Sequence, residues 1–158
     1  QCRSTLFLVP FAKVQQRIIV SAPASYRIVL YRRFMVRIAE AMARQEGVTA
    51  LVTGDSLGQV SSQTLHNIAV IEDVAGMPVL RPLIGFDKQE IVDRAGSIGT
   101  YPVSIQPDQD CCTLFVPRHP VTRSDPETAA SLEEQLPVAD LVQEALEGAE
   151  KKDFRFPG

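Results

Sequence analysis

Three short apolar runs, each followed by a stretch of helical spacing, constrain this chain more than any other feature. Leu6-Phe7-Leu8-Val9 is closed by Pro10, and Phe11, Val14, Ile18 and Ile19 then recur at helical intervals. A longer helix is predicted from Tyr26 to Gln45, with Leu30, Phe34, Ile38, Ala41 and Met42 on one face and Gly47 as its stop. Ala50 to Thr53 reads as the next strand, and Gly58 or Gln59 to about Asp73 as the next helix. Pro78 to Arg81 reads as a third strand. Asp87-Lys88-Gln89-Glu90 has the spacing of an acidic capping box, opening a helix that Gly96 or Gly99 ends. Strands alternating with helices call for crossover connections. The expected fold class is therefore α/β, a doubly wound and mostly parallel sheet covered on both faces. Prolines and polar residues make 101–125 an expected extended loop. Residues 131–152 are charged, with Leu132, Leu136, Val142 and Leu146 as a thin apolar stripe. The expected division is an α/β unit over 1–123 and a charged tail or helix over 124–158.

An apolar content of 45% over 158 residues suffices for one buried core. The net charge of −3 does not itself point to nucleic acid, although Arg27, Arg32, Arg33 and Arg37 cluster within one predicted helix. No apolar stretch is long enough to span a bilayer and no basic-then-apolar leader opens the chain, so a cytoplasmic protein is expected, with no membrane partner. The first residue is Gln1, which suggests a cut or incomplete polypeptide. Cys2, Cys111 and Cys112 form no disulfide framework; an odd count with two adjacent members suits a reducing compartment. Without a CxxC pair, no metal site is expected.

Residues 49–63, TALVTGDSLGQVSSQ, place Thr53-Gly54-Asp55-Ser56 directly after an apolar strand. In open parallel sheets ligands bind beyond the carboxyl ends of strands, where unpaired N–H groups and helix dipoles favour an anion. Gly54 would allow close approach to the backbone. Taken locally, the stretch reads instead as a tight turn in which Asp55 or Ser56 caps the next helix. It is neither a Walker loop nor a GxGxxG pattern. Arg32 and Arg33 could hold a phosphate through paired hydrogen bonds, but the residues alone favour a solvated helix face. Lys88 opens a helix, where the dipole disfavours a cation, a hint that it faces an anion. Cys111-Cys112 lies in the predicted loop, either as a thiolate able to carry sulfur or as an inert, half-buried pair.

Four blocks, YRRFMVRIAE, LVTGDSLGQVSSQTL, VLRPLIGFDKQEIV and IGTYPVSIQPDQDCCTLFVPRHPVT, together resemble the tRNA 4-thiouridine synthases. These are sulfurtransferases that in many bacteria also serve thiamine biosynthesis. The resemblance runs from about Leu6 to Arg123. It implies a PP-loop adenylation domain, a parallel sheet of the adenine-nucleotide hydrolase-like class that binds ATP, with magnesium, and activates a tRNA uridine. The uridine C4 oxygen is adenylated, and a persulfide sulfur then displaces AMP at C4. The resemblance further implies that Gly54 and Gln63 contact the nucleotide and that Arg32 reaches it. Lys88 would steady charge during adenylyl transfer, and Cys111 and Cys112 would handle sulfur. On that basis the 49–63 stretch becomes a nucleotide-facing wall. Implied partners are tRNA and a cysteine desulfurase as persulfide donor, and an unpaired sheet edge offers a second copy a place to pair. The family's Ser-Gly-Gly-x-Asp-Ser loop and its RNA-binding modules are not among these residues. The chain therefore reads as the later part of the adenylation domain, incomplete at its N-terminus, with no turnover expected of it alone. The alternative is a non-catalytic remnant, a sulfur-relay or docking module of the same fold.

Overall fold

The protein is described by a computed structural model covering residues 2–107, 117 and 119–156. Its centre is helix α2 (Arg27–Gln45), which follows a 3-10 turn at Ala24–Tyr26. The helix ends where predicted, with Gly47 in the left-handed region at φ 71°, a conformation that costs glycine nothing sterically. Leu30, Tyr31 and Phe34 pack against Val14 and Ile18 of α1 (Ala12–Ser21) and against Leu136 and Leu141. Val29 and Val36 pack against Val70 and Ile71 of α3 (Leu65–Glu72) and Ala129 of α6 (Pro126–Glu134). Helix α2 is therefore covered on two sides. Its predicted single apolar face accounts for only one of the two clusters.

Two strand pairs flank this helical core. Strand β2 (Leu51–Val52) pairs in parallel with β3 (Val79–Leu80), as the alternation predicted. The ladder runs one step further, because the Thr53 N–H donates to the Leu80 carbonyl at 3.0 Å. Strand β1 (Cys2–Leu8) pairs antiparallel with β4 (Glu150–Phe156), with Ser4 opposite Phe154 and Leu8 opposite Glu150. The α/β character holds, and among the described residues its parallel part is the β2–β3 pair. The partner of β1 was hidden in the sequence. Lys-Lys-Asp-Phe-Arg-Phe carries too many charges to read as a strand, yet with both faces exposed such residues cost nothing.

Three further segments differ from expectation. The helix expected from Gly58 begins only at Leu65. Gly58 stands at φ 74°, a 3-10 turn covers Ser61–Gln63, and the Thr64 side chain caps α3 by accepting the Asn67 N–H at 3.2 Å. Within the expected extended loop, Tyr101–Ser104 forms a short helix, α5, with Pro102 in its first turn where no N–H is missed. Residues 124–158, read as a charged tail or helix, fold through 156 as two helices, α6 and α7 (Val138–Glu147), and the strand β4. They place Leu136 and Leu141 in the α1–α2 core, and Pro137 divides the two helices. Gly148 ends α7 hard against Pro10; a Cβ there would lie 2.6 Å from the proline Cγ. The capping box at α4 (Lys88–Ser97) forms as read, Glu90 N–H donating to Asp87 Oδ1 at 2.9 Å and Asp87 N–H to Glu90 Oε2 at 2.8 Å.

Phe34 is fully buried between α1, α2 and α7. Replacing it by alanine removes its transfer free energy and leaves a cavity. Phe34→Ala is expected to lower the unfolding free energy by about 3–5 kcal/mol in urea titrations.

Candidate functional site

The stretch after β2 is organised by one carboxylate. Asp55 is buried, with its side chain 5% exposed. Its Oδ1 accepts from Arg32 Nη2 and, at 3.3 Å, from Gln63 Nε2. Its Oδ2 accepts from Thr53 Oγ1 at 2.8 Å and from Arg81 Nε at 3.3 Å. The donors come from α2, the end of β2, the 3-10 turn before α3, and the residue after β3. Asp55 thus gathers four separate pieces of chain at the carboxyl ends of the two parallel strands, where ligands of open α/β sheets bind.

The surrounding contacts fix these donors in turn. Arg32 Nη1 donates to Ser62 Oγ at 3.2 Å, and Arg81 Nη1 donates to Glu72 Oε2 at 2.5 Å. The loop after β3 lies along the loop after β2: Leu57 N–H donates to the Ile84 carbonyl at 3.1 Å, and Ser56 Oγ to that of Phe86 at 2.6 Å. Burial by itself would push the Asp55 carboxyl up. Hydrogen bonds from Arg32, Thr53 and Gln63, with the charge of Arg32, outweigh it and hold the group below its ordinary value of 3.8.

Gly54 is exposed, and a Cβ built on it would meet nothing within 4 Å. Its backbone borders open space beside the Asp55 frame. Arg32, Gly54 and Gln63, singled out in the sequence, therefore come together. Lys88 is exposed at the first position of α4 and takes no part in the Asp55 network. Its helix starts two residues after Phe86, whose carbonyl is tied to Ser56. Cys111 and Cys112 lie outside the described residues.

Two sequence expectations fall here. Neither Asp55 nor Ser56 caps a helix, since Asp55 spends its acceptors on side-chain donors and Thr64 caps α3. Arg32 and Arg33 do not form a solvated face. Arg33 is 2% exposed, donating to the Val70 carbonyl at 2.5 Å and to Glu133 Oε2 at 2.8 Å; Arg37 joins the same oxygen at 2.6 Å. Arg81 and Asn67 were missed. Asn67 is fully buried, with Nδ2 donating to the Ser61 and Val121 carbonyls at 2.7 and 2.8 Å and Oδ1 accepting the Ser124 N–H at 2.9 Å. It ties the chain at 121–124 to the site loop. Nothing in its sequence neighbourhood marks it, but Arg81, the last residue of a predicted strand, had the same positional signal as Thr53. Among the described residues no group of three or more His, Cys, Asp or Glu side chains could hold a metal ion.

Residues 1–138 match the family model described as thiamine biosynthesis protein (ThiI). The chain belongs to this family. Relatives of this ThiI-family chain include a "probable tRNA sulfurtransferase" of Thermus thermophilus, 56% identical over the whole of this chain and 39% of that protein. Another, from Moorella thermoacetica, is 48% identical over 92% of this chain and 37% of that protein. The crystal structure of a 4-thiouridine synthetase–RNA complex with bound ATP superposes with a TM-score of 0.92 at 43% identity, over 98% of this chain and 40% of that one. The chain thus spans about two-fifths of the length of these ThiI-family relatives.

Replacing Asp55 by asparagine takes from the partly buried Arg32 guanidinium its carboxylate partner and leaves Arg81 with Glu72 alone. Asp55→Asn is expected to cost about 3–5 kcal/mol of unfolding free energy near neutral pH. A carboxyl depressed in the folded state contributes its stability above its ordinary value and loses it as pH falls through the lower, folded one. The gap between wild type and Asp55→Asn, measured by urea unfolding at a series of pH values, should therefore be widest above 3.8 and shrink below it.

Proposed function

We propose that this chain belongs to the adenylating and sulfur-transferring part of a tRNA sulfurtransferase. ATP adenylates a tRNA uridine at its C4 oxygen, and pyrophosphate leaves. The terminal persulfide sulfur then attacks C4 and the C–O bond to AMP breaks; a second thiol attacks the carrier sulfur, the sulfur–sulfur bond breaks to release 4-thiouridine, and the disulfide so formed is reduced by an external thiol. The same sulfur transfer serves the thiazole of thiamine, in keeping with the family's description. The observation that carries the reading is the convergence of Arg32 and Gln63 on the buried carboxylate of Asp55, beside the exposed Gly54, at the carboxyl ends of β2 and β3. Support comes from the likeness to a synthetase that was crystallised with both RNA and ATP.

In this proposal each residue has a defined task. The open backbone at Gly54 lets the nucleotide approach the strand end, and Arg32 supplies a guanidinium toward its phosphates. Gln63 contributes a polar contact from the turn before α3. Lys88 offsets negative charge that accumulates during adenylyl transfer, a preorganised electrostatic contribution. Cys111 or Cys112 carries the persulfide, since only a thiolate can take sulfur from a donor such as a cysteine desulfurase and pass it on. Magnesium accompanies the triphosphate. Among the described residues no helix is long and apolar enough to cross a membrane, and a tRNA substrate places the reaction in the cytoplasm.

The test is mass spectrometry after incubation with cysteine and a cysteine desulfurase. Wild type is expected to gain one sulfur atom, and one of Cys111→Ser and Cys112→Ser to lose that gain. Lys88→Ala, in the full natural polypeptide carrying these residues, should lower the rate of ATP-dependent 4-thiouridine formation at least tenfold while leaving the persulfide intact. A wild type that takes up no sulfur would refute the sulfur-transfer half of the proposal.

A further inference from the structure

A carboxylate buried at a site expected to receive a polyanion calls for an explanation. Charge alone makes Asp55 unfavourable there, because it repels the ligand that Arg32 attracts. Geometry gives it a different use. Each Asp55 oxygen serves one arginine: Oδ1 takes Arg32 Nη2 and Oδ2 takes Arg81 Nε, so the two guanidiniums sit on either side of one carboxylate. Without it, Arg81 would keep Glu72, but Arg32, its side chain 23% exposed, would have no carboxylate partner in this set. Arg32 would then keep one bond from this set, the one to Ser62 Oγ, and one bond does not orient a planar fork.

The same carboxylate also sets the sense of Gln63. An ionised carboxylate only accepts, so the Gln63 NH2 must face Asp55 and its Oε1 must point away. That Oε1 is buried and has no hydrogen-bond partner.

We propose that Asp55 is the positioning residue of this site. It does not touch the ligand. It aims the Arg32 guanidinium at the ligand, fixes the sense of the Gln63 carboxamide beside it and holds Arg81 behind them. This inference rests on the reading that Arg32 and Gln63 face ATP.

The sign of one measurement separates positioning from charge. Asp55→Asn adds one net positive charge to the site, so an electrostatic role alone predicts tighter ATP binding. Positioning predicts weaker binding, by tenfold or more. Arg32→Lys keeps the charge but loses the fork, and should weaken ATP binding to a similar extent. The double variant Asp55→Asn/Arg32→Lys should be no worse than the weaker single one, because both changes remove the same oriented contact. Asp55→Glu, which keeps the charge and can still reach the donors, should recover at least part of the affinity.

Binding is measured by calorimetry with ATP on the full natural polypeptide carrying these residues, at a temperature where circular dichroism shows each variant folded. Ile18→Val, in the core away from the site, is the control for lost stability and should leave ATP affinity unchanged. If Asp55→Asn does not fold, Arg32→Lys and Asp55→Glu decide. Affinity unchanged or raised in Asp55→Asn or, where that variant does not fold, in Arg32→Lys would overturn the positioning role while leaving ATP binding standing. A wild type that binds no ATP would overturn the positioning role and the ATP reading together.

Discussion

A guanidinium keeps its charge in any folded protein, so an arginine taken out of water must bring an acceptor with it. Helix α2 faces that requirement three times within six residues, at Arg32, Arg33 and Arg37, because it is covered on two sides. Two carboxylates meet it. Glu133 from α6 accepts from Arg33 and Arg37, and Asp55 from the loop after β2 accepts from Arg32. The first pairing locks α6 onto the central helix. The second draws the strand ends toward it. Much of the remaining architecture follows from where these two acids stand.

The same economy explains how a site forms at this place. Strands β2 and β3 are only two residues long, too short to fix the loops beyond them by ladder bonds alone. Side-chain bonds extend the order past the strand ends: Thr53 and Arg81 meet on Asp55, Ser56 reaches Phe86, and Asn67 gathers Ser61, Val121 and Ser124. Gly54 stays open in the middle of this lattice, backbone exposed beside a rigid polar wall. Preorganisation of that kind is what the proposed nucleotide site requires.

Much of this was legible from residues alone, for reasons that can be named. The periodicity of Leu30, Phe34 and Ile38 marks α2 because an amphipathic face repeats with the helix turn, and Asp87 with Glu90 marks the start of α4 because a capping box is a local bond pattern. Arg32, Gly54 and Gln63 came from family resemblance, and the structure places them side by side. The strand Glu150–Phe156 was not legible, since its partner lies 154 residues away in the chain at the Cys2–Phe156 pair and its own composition is polar. Nor were the fates of Arg32 and Arg33, neighbours in sequence that point to different carboxylates.

What the sequence by itself determined is therefore local: where α1, α2 and α4 run, where the parallel strands lie, and which blocks carry the family. Periodicity, caps and turn residues act over a few positions, and a linear reading captures them. Tertiary structure alone decided that Asp55 is the junction of the site instead of a helix cap, that Arg33 is buried, and that the charged C-terminal stretch completes both the core and the outer strand pair. Each of those outcomes depends on a donor and an acceptor brought together across dozens of residues. Burial makes such bonds obligatory, and burial is a property of the folded chain.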